Sequence, residues 1–190
     1  MNEYYLDEVC GFRKVKEQWG IFSNMSPHPV VVNGFRIPTT EALYQAMKYP
    51  HNPELQLKII NQKSPMSAKM VQKGHTPRRD WDQIKIDVME WCLRVKVLYH
   101  SSKIRKEIEE VNGRDIIEIS HKDRFWGAVP DKQDPNILLG ENILGQLWMD
   151  IRNRTDFNST DFLVVETPDI PNFLLYNTTI ETIDRRNIKK

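Results

Sequence analysis

The chain has 190 residues, enough for one substantial core, and its 27 basic and 26 acidic side chains leave a net charge of +1. So small a charge supplies no long-range field to draw the molecule onto nucleic acid or a membrane, and an anionic ligand must be held by a local cluster of cations. Cys10 and Cys92 are too few for a disulfide framework or a zinc site. There is no charged start followed by an apolar stretch, and no run of ~18 apolar residues, so the expected setting is cytoplasmic, without membrane contact.

In chain order, the aromatic stretch at 4–6 and the segment 10–12 read as strand leading into a loop at Trp19-Gly20. Residues 29–37 place β-branched positions on both sides of Asn33-Gly34, the pair that best tolerates the positive φ angles of a tight hairpin. Thr39 and Thr40 after Pro38 start a helix that stops near Pro50, with Glu41 placed at the positive end of its dipole. Apolar spacing and caps predict further helices over 53–62, 64–73 and 80–99. In the last of these Trp81, Ile84, Val88, Trp91, Cys92, Val95 and Leu98 form one apolar stripe that belongs to the core.

A helix over 102–111 ends at Asn112-Gly113, and 115–119 reads as a buried isoleucine strand. A polar loop runs through Asp134-Pro135, and a helix over 142–154 closes the core. The tail alternates short apolar runs with Pro168 and Pro171 and ends on Arg185-Arg186 and Lys189-Lys190. The expected fold is α+β, a single helix-rich domain with a small β-sheet over 1–154, with 155–190 as an extension packed on it or trailing from it.

On the helix after Pro38, Glu41, Tyr44, Gln45 and Lys48 fall on one face, opposite Ala42, Leu43, Ala46 and Met47. Spacing alone leaves an ordinary solvated helix face as the alternative. As a site, the face would suit ribosyl C–N cleavage: a carboxylate stabilises an oxocarbenium-like state or activates water. A partly buried lysine acts either in proton transfer or as a nucleophile toward an opened sugar aldehyde. Arg78 and Arg79 precede a helix start and suit a phosphate, or else form a surface loop with an Asp80 cap; Trp81 could stack on a base or fill core. The loop 121–127 gathers Asp123, Phe125, Trp126 and Gly127, as a ligand wall or as cover for a small core. The five histidines show no metal spacing, and neither a phosphate-cradling glycine loop nor a serine-hydrolase elbow is present, so no metal or cofactor is implied.

Taken in order, Phe22-Ser23-Asn24-Met25, Pro38-Thr39-Thr40-Glu41 with Tyr44-Gln45-Ala46 and Lys48, Ser64-Pro65, Arg79-Asp80-Trp81, Phe125-Trp126-Gly127 and Gly140-Glu141-Asn142 resemble the NADAR (YbiA-like) family from about Phe12 to Arg154. The resemblance implies an α+β fold and N-glycosidase activity, with Glu41 the acidic site residue, Lys48 the helix lysine, Trp81 the site tryptophan, and Asp123 and Trp126 a second wall. Glu41, Lys48 and Asp123 are accordingly expected to be catalytic. Ser23, Asn24, Tyr44, Gln45, Arg78, Arg79, Trp81, Trp126, Gly127 and Asn142 are expected to contact substrate. The implied substrate is ADP-ribosylated guanine, as nucleotide or in DNA, with a functional pairing to a DNA ADP-ribosyltransferase toxin. The alternatives are phosphorylated ribosylamine intermediates of riboflavin biosynthesis and a non-catalytic module that binds ADP-ribose or a nucleotide.

Overall fold

The structure, a computed structural model, describes residues 1–186. The Lys189-Lys190 end of the expected basic tail lies outside them. The fold is α+β, and the chain divides into two compact units: Met1–Ser26 with Ser102–Thr155, and Pro27–Ser101 with the chain from Asp156 onward.

In the first unit, β1 (Asn2–Tyr5), β6 (Ala128–Pro130) and β7 (Ile137–Gly140) form an antiparallel sheet in the order β1-β7-β6, with Tyr4 opposite Leu138 and Val129 opposite Leu139. The strands β6 and β7 lie on either side of the expected polar loop. They are too short, and too interrupted by Pro130 and Pro135, to show the period-two alternation by which a strand is recognised. The strand β2 (Cys10–Phe12) pairs in parallel with β5 (Ile116–Glu118), the expected isoleucine strand. Residues 143–154 form the helix α5 (Ile143–Arg154), whose Trp148 is fully buried, packs at a tilt against Phe22 with ring centroids 5.1 Å apart and donates its indole N–H to the Phe22 carbonyl at 2.8 Å.

The approach of α5 to β5 requires a glycine. A Cβ on Gly145 would lie 1.9 Å from the Ile116 carbonyl oxygen and 2.3 Å from the Asn142 amide nitrogen. Gly145→Ala is expected to cost about 1–3 kcal/mol through this overpacking, read as a lower denaturation midpoint; an unchanged midpoint would contradict the contact.

In the second unit, β3 (Val30–Val32) and β4 (Phe35–Ile37) form the hairpin, with Asn33 at φ 49° and Gly34 at φ 80°, as the Asn-Gly pair predicts. Three helices follow, each with a polar side chain accepting from a free backbone N–H at its start. Thr39 caps α1 (Thr40–Ala46), Asn52 caps α2 (Pro53–Ile60) and Ser64 caps α3 (Pro65–Val71). Pro53 and Pro65 occupy first-turn positions, where their missing N–H costs nothing.

The helix α4 (Trp81–Val111) unites the two helices expected over 80–99 and 102–111, and the division survives as one non-helical residue, His100 at φ −131°. The His100 ring is within 2.8 Å of the Pro29 carbonyl and meets His28 edge-on at 4.9 Å. Of the predicted stripe, Val88, Trp91, Cys92, Val95 and Leu98 are buried, while Trp81 and Ile84 are only half-buried.

Among the described residues of the tail, β8 (Val164–Val165) pairs with β11 (Ile183–Asp184), and β9 (Leu174–Leu175) with β10 (Thr178–Thr179). Gln56 of α2 fixes β9 by donating to the Leu174 carbonyl at 2.9 Å and accepting from the Tyr176 N–H at 2.8 Å.

Candidate active site

The helix α1 packs against α2 and α3, and every residue from Thr40 to Ala46 is buried. This overturns the solvated-face alternative for its polar side. Glu41 is 6% exposed, and its Oε1 accepts from the Gln45 side-chain amide at 2.8 Å. The Gln45 oxygen in turn accepts from the Gln72 amide, and the Gln72 oxygen accepts from the Tyr49 hydroxyl at 2.9 Å. A hydrogen-bonded file from Tyr49 through Gln72 and Gln45 therefore fixes one carboxylate oxygen of Glu41. Buried polar groups are tolerated when satisfied in this way, and the arrangement holds the carboxylate in one orientation.

Lys48 lies one turn beyond Gln45. Its Nζ is 5.4 Å from the centre of the Trp81 ring and 5.6 Å from that of Tyr44, and these rings meet each other at 5.1 Å. Burial pushes the Lys48 pKa below the usual lysine value; the Glu41 charge pulls it back up and Lys69 pushes it down. Trp81 reaches this position because the loop before α4 is tied to the end of α1: the Arg78 N–H donates to the Lys48 carbonyl at 2.8 Å, and the Trp81 N–H to the Arg78 carbonyl at 3.2 Å.

The two neighbouring arginines differ. The Arg78 side chain, 8% exposed, grips Asp80 through Nε at 2.6 Å and Nη2 at 2.9 Å, and Nη2 also donates to the Pro171 carbonyl at 2.6 Å. These contacts hold the Asp80 carboxyl below the usual carboxylate range, the hydrogen bond from Arg78 acting most strongly. Arg79 is exposed, and among the described residues nothing engages its guanidinium. Of the pair, Arg79 is the cation open to a phosphate.

The second unit thus brings together Glu41, Tyr44, Gln45, Lys48 and Trp81, with Arg78 and Arg79 on the adjoining loop. The other expected residues belong to the first unit. Ser23 and Asn24 are buried, and the Ser23 hydroxyl accepts from the Met25 N–H at 3.2 Å. Asp123 Oδ1 accepts from the backbone N–H groups of Phe125 and Trp126 at 3.0 and 2.9 Å, folding the loop that presents both rings. Gly127 admits the Glu118 carbonyl, which a Cβ would meet at 2.4 Å. Asn142, fully buried at φ 54°, spends its amide on β5, accepting from the Glu118 N–H at 3.0 Å and donating to the Ile116 carbonyl at 2.9 Å.

Residues 11–155 match the family model described as the NADAR domain. The chain belongs to the NADAR family. It is similar to the N-glycosidase YbiA of Escherichia coli, with 29% identity over 150 residues that cover 78% of this chain and 89% of the relative. The NMR structure of E. coli YbiA superposes with a TM-score of 0.63 at 28% identity, covering 80% of this chain and 86% of the other. The chloroplastic riboflavin biosynthesis protein PYRR of Zea mays is 32% identical over 165 residues, 78% of this chain but 25% of the maize protein. The NADAR match ends at 155, so the ordered tail lies beyond it. Among the described residues no helix is long and apolar enough to cross a membrane.

Two features of this NADAR chain escaped the sequence. Gln72, on which the Glu41 file depends, lies 27 residues from Gln45, and no local pattern links them. Lys96 is fully buried on α4, and burial lowers its pKa to about 7. A signal for it existed, because Lys96 stands four residues after Cys92 on the apolar side of α4. Below pH 7 Lys96 is protonated in both folded and unfolded chains, and the folded state carries the desolvation cost of a buried ammonium. Between about 7 and the ordinary lysine value the unfolded chain binds more protons, so stability rises with pH. Lys96→Met is expected to stabilise the fold by about 1–4 kcal/mol near neutral pH. The gain should shrink as thermal melts are moved toward about pH 10; a gain that grows instead would contradict this burial.

Proposed function

We propose that the chain hydrolyses the ribosyl C–N bond of ADP-ribosylated guanine, restoring the base and releasing ADP-ribose. The reaction class, hydrolysis of an N-glycosidic bond, is that of the NADAR family's N-glycosidases. The observation that carries the reading is the partly buried Lys48 amine, held against two aromatic rings and electrostatically coupled to the fixed carboxylate of Glu41.

A lysine whose pKa is lowered by burial offers more neutral amine at a given pH, and a neutral amine is a nucleophile toward carbonyl-like carbon. Glu41 first assists opening of the ribose ring by proton transfer, leaving the anomeric carbon double-bonded to the guanine nitrogen. The Lys48 nitrogen then forms a bond to that carbon. The guanine nitrogen departs with the C–N electron pair and a proton, and a Schiff base to Lys48 remains. Water, deprotonated by Glu41, adds to this carbon and frees the lysine, and the released sugar closes again. One water is consumed, and no electrons are gained or lost. Tyr44 and Trp81 exclude bulk water and offer flat faces to the sugar or base, and Arg79 supplies a positive charge for a phosphate. In a cell this activity would oppose a DNA ADP-ribosyltransferase toxin.

Similarity to the maize riboflavin biosynthesis protein favours a second reading, hydrolysis of phosphorylated ribosylaminopyrimidines. Incubating the protein separately with ADP-ribosylated guanosine and with a phosphorylated ribosylaminopyrimidine, and following products by mass spectrometry, separates the two. Faster release of unmodified guanosine supports the first reading. Consumption of the pyrimidine alone establishes the second.

A further inference from the structure

Beside the α1 site the second unit contains a cleft of about 680 Å³, within the range of small-molecule sites. One wall comes from the loop before α4, with Thr76 and Arg79, and from Pro50 and His51 just after Lys48. The opposite wall comes from the tail, with Pro171, Asn172 and Asn177.

That tail wall is fixed in place. Arg78, clamped on Asp80, donates to the carbonyls of Pro171 at 2.6 Å and Asn172 at 3.4 Å. Phe173 is buried edge-on against Trp91 at 4.9 Å, and Gln56 holds the backbone of Leu174 and Tyr176. The Asp80 carboxylate that also lines the cleft is paired with Arg78, so the lining cation left for a ligand is Arg79. Proline rings on both walls provide flat apolar surface, and the tail's asparagine amides provide donors and acceptors. A cation beside flat apolar walls suits a phosphate joined to a base, and the cleft is tied to the α1 site by Arg78 of its lining, whose N–H donates to the Lys48 carbonyl and whose carbonyl accepts from the Trp81 N–H. Since the tail lies beyond the family match, this wall is an addition of this chain to the domain.

We propose that the cleft is a nucleoside-phosphate subsite, walled on one side by the C-terminal tail, in which Arg79 receives a phosphate and the proline-lined walls receive a base. The inference rests on the reading of the α1 site as a glycosidase of ADP-ribosylated guanine. Two sources supply this chemistry: the ADP half of the substrate's own ADP-ribose, or a nucleotide flanking the modified guanine in a strand.

The test is calorimetric titration of the full chain with ADP and, separately, with a 5′-phosphorylated deoxytrinucleotide. It is repeated on Arg79→Glu and on Thr76→Trp, which fills the cleft from an exposed loop position, each checked for an unchanged melting transition. Binding of either ligand that weakens tenfold or more in both variants supports the subsite, and the ligand that binds identifies the source. Absence of binding by both ligands at about millimolar concentration, or binding that either folded variant leaves unchanged, overturns it. Should one variant fail to fold, the other decides. Turnover of ADP-ribosylated guanosine by the unmodified protein is measured in parallel. Turnover without ADP or trinucleotide binding overturns the subsite alone, and binding without turnover overturns the glycosidase reading while leaving the subsite.

Discussion

Glu41→Gln is expected to lower kcat on ADP-ribosylated guanosine by about 10²–10³-fold while leaving the fold intact. The substitution preserves shape, and an amide oxygen at this position still accepts from the Gln45 amide, so the file through Gln72 to Tyr49 survives. What disappears is the negative charge and the capacity to take up a proton, which ring opening and the final attack of water both need. A second effect follows with a definite sign. The Glu41 charge raises the pKa of Lys48, so its removal lowers that pKa further, and the pH dependence of the residual activity should move to lower pH. Activity near that of the unmodified protein would remove Glu41 from the chemistry.

Lys48→Met should cost on the order of 10³–10⁴-fold in kcat, because it removes the atom that bonds to the sugar. Methionine suits the stem's place between Tyr44 and Trp81, so loss of packing should be small. The pH profile of the unmodified protein tests the same point without a mutation. An amine nucleophile must be neutral, so the rate rises with pH and levels off above the Lys48 pKa. Burial holds that pKa below the usual lysine value, and the plateau therefore comes earlier than an exposed lysine would allow. A rate that falls with pH through this range would instead make Lys48 a proton donor.

Much of the second unit could be read from local chemistry. The threonine cap at the start of α1 and the Asn33-Gly34 turn are each decided within a few residues, and the structure contains both as read; the caps at Asn52 and Ser64 are equally local. The polar grouping on α1 was legible as a grouping. Its burial was not, because periodicity states which side chains share a face and leaves open what covers that face; α2 and α3 cover it. Trp81 illustrates the converse. Its spacing placed it in the core stripe of α4, yet it is half-buried at the helix start, its ring tilted against that of Tyr44. The strands β6 to β11 were invisible because two to four residues, several beside prolines, carry no periodicity. Arg78 and Arg79 were indistinguishable in sequence. Only the fold, by placing Pro171 and Asp80 around one of them, separates a strut from a free cation.

The most direct measurement of the Glu41–Lys48 site is reductive trapping. The protein is mixed with an ADP-ribosylated guanine oligonucleotide in the presence of cyanoborohydride, and its peptides are mapped by mass spectrometry. Restoration of unmodified guanine within the strand together with an ADP-ribosyl adduct on Lys48, absent from Lys48→Met, is the predicted result. Restored guanine with no lysine adduct, or with the adduct on another lysine, would contradict it.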